Sequence, residues 1–393
     1  MLKTSVMQRA VSSVLVAVLC CFAAPKKYGD SKYWKMVQLK AANCYAADVG
    51  VPVVIGNTGM LDVIAGCSRS DGKDIVITDA SGTLIPRDLA GFGKVATVKF
   101  QLWYKDPATS ATTGGTVVYM QWGGGSVNVA NDATTWANCY GGSTDHALVV
   151  HGEDAAANVT DASGNYTATD ANITYAQTGK IRLAPGFNGN NSSINWGDVT
   201  QINSASKLTY NTWIRIADIT AVDIIYNKRG AVTYQTDIVS SVIDLYFSDS
   251  DYATLDVSAI ISNNVFFLLT TVYDGSLSGN ANKLKLYIDG VQRTLTFSGT
   301  IPNTTPNVSG NNLTLGASSW GLEGIMDEFC VVAGALTANQ ISCQYDIQNG
   351  FATNATLTIG AANSFEDVGR AYIKLPYKND AYKNGVYKKE SFK

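Results

Sequence analysis

The stretch KLKLYIDGVQ, residues 283–292, decides the fold of the region in which it lies. Over residues 284–288, leucine and isoleucine alternate with lysine and tyrosine, which is the period-two pattern of a half-buried β-strand. Asp289 and Gly290 then supply the two positive-φ positions that a tight hairpin turn requires. The stretch therefore predicts two antiparallel strands joined by a two-residue turn.

Four phrases of this region follow one another in order: KLKLYIDGVQ, LTLG from Leu313, GIMDEF from Gly324 and ALTANQIS from Ala335. Together they resemble the closing half of a concanavalin A-like (laminin G-like) lectin domain. KLTYNTWIRI, from Lys207, resembles the strand that carries a core tryptophan in that family, here Trp213. The resemblance implies an antiparallel β-sandwich with sites on its loops or concave face, in a family composed mostly of binding modules.

The upstream half resembles DUF2341, a small β-domain of unknown function that often precedes a lectin-like domain. The resemblance is carried by YWKMVQL from Tyr33, DIVITDASGTLIPRDL from Asp74, FQLWYKDP from Phe100 and TVVYMQWGGG from Thr116. We therefore expect four parts. They are a signal-like or anchoring apolar segment (1–27), a DUF2341-like β-sandwich (28–145), a concanavalin A-like lectin domain (146–350) and a basic Tyr/Lys tail (351–393).

Composition agrees with an all-β fold of two antiparallel β-sandwich (jelly-roll or concanavalin A-like) domains. Only 16% of residues are charged and 36 are glycine, and short apolar runs are separated by Gly/Asn/Ser/Asp clusters, as in sandwiches and unlike helical bundles. One short helix is predicted from Leu336 to Asp346, with Thr337 as its cap. The expected core residues of the second sandwich are Trp213, Leu286, Ile288 and Phe329.

The N-terminus has the pattern of a signal peptide. Lys3 and Arg9 precede an apolar run over residues 11–24 that is short for a bilayer span. Pro25 directly follows the run and disfavours cleavage there. Cleavage and retention as a helix buried in an assembly both stay open. The first implies a secreted or cell-surface protein and the second a virion component.

The C-terminal tail repeats an aromatic residue every five positions, which matches neither a helix nor a strand. From Gly369 onward it carries seven basic and two acidic residues, 7 − 2 = +5, and since the whole chain is −3 the remainder is −8. A basic, aromatic arm on an acidic body favours docking on a neighbouring virion or surface-assembly subunit, within a homo-oligomer, over nucleic acid. A solvated, disordered tail is the alternative. The predicted docking residues are Tyr372, Tyr377, Tyr382, Tyr387, Lys378, Lys383 and Lys388.

Residues suited to catalysis are few, and we predict that the protein is not an enzyme. The two histidines, His146 and His151, lie at the junction of the two domains, and no GxSxG motif accompanies them. Asp327 and Glu328 are adjacent, so on a regular strand they point to opposite faces, unlike the paired carboxylates of a glycosidase. We therefore interpret Asp327 as a structural hydrogen-bonding residue and Glu328 as exposed.

Neither a cofactor nor a metal site is predicted. Oxygen-rich turns at residues 161–165, 248–251 and 273–276 leave Ca²⁺ open, but turn chemistry alone also produces such segments. The seven cysteines contain no CxxC pair. A disulfide between Cys330 and Cys343 stays open at this stage.

Two functional classes remain. The first is a non-catalytic structural and recognition protein on the surface of a particle or cell, most specifically a phage virion decoration or fibre-like protein with a glycan- or surface-binding domain. The second is a secreted bacterial carbohydrate-active enzyme or its binding subunit. If glycans bind, exposed rings and amides on the loops carry the contact, because a pyranose face stacks on an aromatic ring. The candidate residues are Trp196, Trp320 and Asn195.

Overall fold

A computed structural model of the chain describes residues 24–39, 50–55, 61–90, 100–105, 117–129, 139–140, 146–230, 233–317, 319–350, 357–359 and 362–365. The predicted docking residues of the tail, and residues 1–23 of the apolar segment, lie outside the described residues. The predictions about them stay predictions.

The regular secondary structure of the described part is mostly β-strand. Before residue 146 they are β1 (Tyr33–Leu39), β2 (Gly50–Ile55), β3 (Val76–Thr78), β4 (Leu84–Ile85), β5 (Arg87–Ala90), β6 (Phe100–Lys105) and β7 (Val117–Trp122), with one helix, α1 (Leu61–Gly66).

From residue 146 onward the strands are β8 (His146–Val150), β9 (Thr169–Ala171), β10 (Thr174–Thr178), β11 (Leu183–Asn188), β12 (Ser193–Asn195), β13 (Lys207–Ile216), β14 (Val222–Asn227), β15 (Gln235–Val239), β16 (Val242–Tyr246), β17 (Tyr252–Asp256), β18 (Phe267–Asp274), β19 (Leu284–Ile288), β20 (Val291–Arg293), β21 (Thr296–Ser298), β22 (Thr314–Gly316), β23 (Glu323–Val332), β24 (Leu357–Ile359) and β25 (Asn363–Ser364). The helices are a 3₁₀ turn (Thr200–Ile202), α2 (Asn280–Lys283) and α3 (Ala338–Gly350).

The first unit is a sandwich of two antiparallel sheets. Sheet A has the order β24-β1-β7-β3-β4, with β25 also on β1, and sheet B has the order β2-β6-β5. Their inner faces meet in an apolar cluster that includes Val37, Met120 and Leu102. Ile181 and Ile347, which follow residue 146, pack into the same cluster. The two units therefore share buried apolar surface.

The second unit is a larger sandwich of two antiparallel sheets. Sheet C has the order β10-β11-β23-β13-β18-β19-β20 with β8 on β23, and sheet D has the order β21-β17-β16-β15-β14-β22-β12-β9. Leu286, Ile288 and Phe329 lie in its core, as predicted. The all-β, two-sandwich fold class is confirmed.

Two local predictions are confirmed. Asp289 and Gly290 have φ values of 54° and 77° and join β19 to β20 with Ile288 opposite Val291. Thr337 caps α3, because its Oγ1 accepts a hydrogen bond from the backbone N–H of Gln340 at 3.3 Å.

Residues 357–359 and 363–364, which were expected to belong to the tail, are strands. Leu357–Ile359 and Asn363–Ser364 both pair with β1, so the chain returns to the first unit after α3. The described helices include none with the length and apolar character needed to cross a membrane.

The pairing of Cys330 with Cys343 does not occur. Cys330 is a buried free thiol, whereas Cys343 on α3 is disulfide-bonded.

Candidate functional site

His151 lies at the centre of a buried polar cluster between the two units. It follows β8, and its Nδ1 is 2.8 Å from Oε2 of Glu328 on β23. Its Nε2 is 3.2 Å from Oδ2 of Asp88 on β5 and 2.8 Å from the hydroxyl of Tyr140. Tyr140 in turn donates to Asp88 Oδ2 at 2.7 Å. The ring is therefore held between a carboxylate of the first sandwich and a carboxylate of the second.

A β-bulge places Glu328 in this cluster. Trp213 pairs with Asp327 and Asn211 pairs with Cys330, so two residues of β23 oppose one residue of β13. Glu328 has a φ of 53°, a left-handed conformation that is uncommon for a residue with a side chain. Such a bulge interrupts the alternation of side chains along a strand.

The prediction that Asp327 and Glu328 point to opposite faces, with Glu328 exposed, is therefore wrong. Glu328 is only 4% exposed, and both carboxylates lie on the face of sheet C that meets the first unit. The expected hydrogen bond of Asp327 is present, since its Oδ2 accepts from the backbone N–H of Ile181 at 2.9 Å. Burial, together with the neighbouring Glu328, raises the pKa of Asp327 well above its usual value.

The two histidines have opposite electrostatic environments. Burial alone disfavours a charged His151, but Glu328 and Asp88 outweigh it and raise the pKa of His151 well above 6.5. His146 has no such partner, and burial lowers its pKa to about 4. At neutral pH His151 is therefore protonated and donates from both ring nitrogens, whereas His146 is neutral.

A chain of side-chain amides extends the cluster to α3. Gln101 donates to Glu328 Oε2 at 2.7 Å and accepts from Gln348 Nε2 at 3.3 Å. Gln348 Oε1 accepts from the indole N–H of Trp213 at 2.9 Å. Trp213 is 1% exposed but stacks on Tyr345 of α3, 5.6 Å between ring centroids. Its predicted place in the sandwich core is wrong, because its side chain lies on the opposite face of sheet C.

Glu153 and Arg182 lie at the edge of the cluster, with Arg182 Nη1 2.8 Å from Glu153 Oε2. Burial raises the pKa of Glu153 to about 7, against the lowering effect of Arg182. Glu153 is therefore partly protonated at neutral pH.

The cluster is closed to ligands. The side chains of His151, Asp88 and Glu328 are at most 7% exposed, so their atoms cannot reach a substrate in solution. No group of three or more metal-binding side chains occurs within the described ranges. The arrangement is that of a joint between two sandwiches. Sequence reasoning singled out His151 and Glu328 but interpreted Glu328 as exposed. It missed Asp88, Gln101, Tyr140 and Gln348, because nothing local distinguishes a buried amide or carboxylate from an exposed one.

The exposed recognition chemistry lies at the other end of the second sandwich. Trp320, between β22 and β23, is 68% exposed, whereas Trp34, the most exposed of the other described tryptophans, is 8% exposed. Its φ is 53°. Trp196 is 1% exposed and belongs to the core, and the Asn195 side chain accepts from the backbone of Gly197 at 2.9 Å. The expectation of an exposed ring at Trp196 is wrong, so the three candidate residues do not form one surface.

An asparagine-rich turn adjoins the Trp320 loop. The backbone N–H of Gly189 donates to the carbonyl of Leu322 at 2.9 Å, which joins the turn to the segment that follows Trp320. Asn188 closes the turn by accepting from the backbone N–H groups of Asn190 and Asn191 at 3.0 and 3.1 Å. The side chain of Asn190 is exposed and makes no hydrogen bond within the described part.

Residues 188–342 match a family model described as the concanavalin A-like lectin/glucanases superfamily. The matched segment covers all of sheet D except β9. It also covers sheet C except β8, β10 and all of β11 but its last residue, Asn188. This part of the chain is therefore similar to that superfamily. No curated protein matches the sequence.

Among solved structures, domain 4 of AbnA, a GH43 extracellular arabinanase of Geobacillus stearothermophilus, is similar. It is 20% identical, covers 51% of this chain and 98% of its own, and gives a TM-score of 0.41. The binding domain of Paraclostridial Mosquitocidal Protein 1 is 17% identical, covers 51% of this chain and 52% of its own, and also gives a TM-score of 0.41. The receptor-binding domain of botulinum neurotoxin mosaic serotype C/D is 17% identical, covers 52% of this chain and 51% of its own, and again gives a TM-score of 0.41. The chain spans about half the length of these two toxin structures.

Proposed function

We propose that the protein is a non-catalytic recognition protein whose lectin-like domain binds glycans through the loop that carries Trp320. The observation that carries the proposal is the combination of 68% exposure and a φ of 53° at one tryptophan. Exposing a large ring and holding a bulky residue in a left-handed conformation both cost free energy. A ligand that stacks on the ring accounts for both features.

The loop has the chemistry that sugars require. The apolar face of a pyranose packs on an indole, and amide groups exchange hydrogen bonds with the hydroxyls. Asn190 supplies an exposed amide on the adjoining turn. Ring and amide are held on neighbouring turns by the contact between Gly189 and Leu322.

The test is a glycan array followed by titration of the bound glycans. Trp320→Ala is expected to weaken binding at least about tenfold, the effect of removing a stacking anchor, and Trp320→Phe to retain part of it. Val291→Ala is the matched control, since Val291 is also apolar and 54% exposed. Wild-type binding by the Trp320→Ala variant would refute this use of the loop.

Burial of the acid–base groups supports the non-catalytic part of the proposal. His146, His151, Asp327 and Glu328 are each at most 6% exposed, so the groups that the sequence offered for catalysis cannot contact a glycan. Incubation of the protein with each glycan that it binds is expected to leave the glycan intact by mass spectrometry. Release of shorter saccharides would favour the carbohydrate-active enzyme instead.

We further propose that the protein is displayed on a particle or cell surface, most specifically as a virion decoration or fibre-like subunit anchored by its basic tail. Support comes from charge, +5 for the tail from Gly369 against −8 for the remainder. A chain ending at Asp367 is expected to keep both sandwiches folded but to lose incorporation into the assembly. Replacing Lys378, Lys383 and Lys388 by Gln removes charge but keeps the tyrosines, so it separates the contribution of charge to incorporation from that of the aromatic contacts. Normal incorporation of the shortened chain would contradict the proposal.

A further inference from the structure

A groove of about 240 Å³ opens on the outer face of sheet C. Thr174, Gly186, Ile325 and Arg215 are cross-strand partners in one row across β10, β11, β23 and β13. Directly opposed residues share a face, and so do residues two apart on a strand, so Ile325 faces the same way as Asp327. The groove is therefore on the face that the first unit covers further along the same strands. Its lining does not include Trp320, but Glu323 lies against Gly189 of the turn that adjoins the Trp320 loop.

The groove presents two opposite charges that do not neutralise each other. Arg215 makes no hydrogen bond or ion pair within the described ranges, and its guanidinium rests on the Phe266 ring, 5.6 Å from the centroid. Glu323 is exposed, and its carboxylate has no hydrogen-bond partner among the described residues. Its backbone N–H donates to Asp223 Oδ1 at 2.7 Å, which fixes the start of β23. Both charged groups are therefore positioned but unpaired.

Uncharged hydrogen-bonding groups and an apolar floor complete the groove. Gln177 uses its Nε2 on the carbonyl of Tyr175 at 3.2 Å, which leaves Oε1 without a partner in the described part. Thr174 and Asn264 are exposed at the rim. Ile325 lies at the floor and is 3% exposed.

The groove's charges select the class of ligand. An anion that pairs with Arg215 is repelled by Glu323, and a cation that pairs with Glu323 is repelled by Arg215. A neutral polyol satisfies both, because adjacent hydroxyls accept from a guanidinium and donate to a carboxylate. The C–H face of a sugar ring suits the Ile325 floor, and the volume is below the roughly 300 to 1,000 Å³ of sites for larger ligands.

We infer that this groove, lined by Arg215, Glu323, Gln177 and Ile325, is a binding site for one neutral sugar unit, beside the Trp320 loop. The inference rests on the proposed glycan-binding function and names a second site for it. A glycan chain with units at both places binds the domain bivalently.

The experiment uses the full chain with glucose, galactose, mannose and N-acetylglucosamine, and with glucuronic and sialic acids as anionic probes, followed by saturation-transfer NMR and titration. Arg215→Ala and Glu323→Gln are each expected to weaken binding of a neutral sugar at least about tenfold, because each removes charge-assisted hydrogen bonds. Arg229→Ala and Asp256→Asn, at exposed positions elsewhere, are the matched controls and are expected to stay within about twofold. Unfolding midpoints of all variants establish that each is folded.

The other outcomes separate the two proposals. If wild-type protein binds neutral glycans, Trp320→Ala abolishes binding and the groove variants do not change it, the proposed function stands and the groove inference is overturned. If only acidic sugars bind, and Glu323→Gln tightens them, the neutral class is overturned. If no glycan binds the wild-type chain in the array or by NMR, both proposals fail.

Discussion

One face of sheet C has two different ends. At one end Trp213 and Glu328 lie beneath the first sandwich and α3, and their polar atoms bond Gln348, Gln101 and His151. At the other end Arg215 and Glu323, on the same two strands, lie in an open groove without polar partners in the described part. Arg215 is two positions from Trp213 on β13, and Glu323 is five positions from Glu328 on β23. Similar side chains on the same strands therefore differ in role according to what covers them.

The difference follows from the cost of burying charge. A carboxylate removed from water is stable only if it is paired and hydrogen-bonded, and the covered end supplies His151 and Gln101 to Glu328. An exposed carboxylate needs no protein partner, since water solvates it. The polar groups of the covered end therefore contribute to stability, whereas those of the open end remain solvated.

The largest contrast in the free energy of unfolding is expected between variants of two glutamates of β23. Glu328→Ala leaves a protonated His151 buried with Asp88 alone and should lower the free energy of unfolding by about 3–5 kcal/mol. Glu323→Ala removes an exposed carboxylate and should change it by no more than about 0.5 kcal/mol. Urea unfolding followed by tryptophan fluorescence measures both. Equal midpoints for the two variants would show that the covered cluster contributes nothing to stability.

The second prediction concerns the two histidines, whose pKa values should be shifted in opposite directions. The folded pKa of His151 is above the unfolded value of about 6.5, so its contribution to stability is complete below pH 6.5 and falls as pH rises through the folded pKa. The folded pKa of His146 is about 4, so its contribution is complete above 6.5 and falls as pH drops towards 4.

Imidazole ¹⁵N spectra test this directly, because the chain has only two histidines. At pH 7 one ring should be protonated and the other neutral, and a His146→Gln variant assigns the signals. Two rings that titrate together near pH 6.5 would contradict the prediction. Glu153, whose pKa is raised to about 7, lowers stability as pH rises between about 4.5 and 7, so the spectra separate the histidines better than a stability curve.

Sequence predicted the parts of the fold that depend on neighbouring residues. The turn at Asp289-Gly290 follows from the backbone preferences of two adjacent residues, and the cap at Thr337 follows from a contact three positions along the chain. Glu328 shows the limit. Its direction depends on a bulge against β13 and on His151, 177 positions away in the chain, and the sequence GIMDEF contains neither partner.

The two Trp-Gly pairs show the same limit at the candidate site. Trp196-Gly197 and Trp320-Gly321 have the same local signal, yet Trp196 is 1% exposed and Trp320 is 68% exposed. Trp196 follows β12, inside sheet D, and packs in the sandwich core, whereas Trp320 lies in the connection between the two sheets. Only the tertiary contacts separate a core ring from one that can meet a ligand.

The smallest effect is expected for the stability of Trp320 variants. Trp320→Ala removes a ring that is 68% exposed, so it forfeits little buried area, and it keeps the same left-handed backbone at φ 53°. We expect the free energy of unfolding to change by no more than about 0.5 kcal/mol, the usual limit for surface substitutions. Trp196→Ala is the matched comparison and should cost about 3–5 kcal/mol, because it leaves a cavity in the core. Urea unfolding of the two variants decides the point: a large loss for Trp320→Ala would mean that the ring supports the fold, and its exposure could then no longer be assigned to ligand binding.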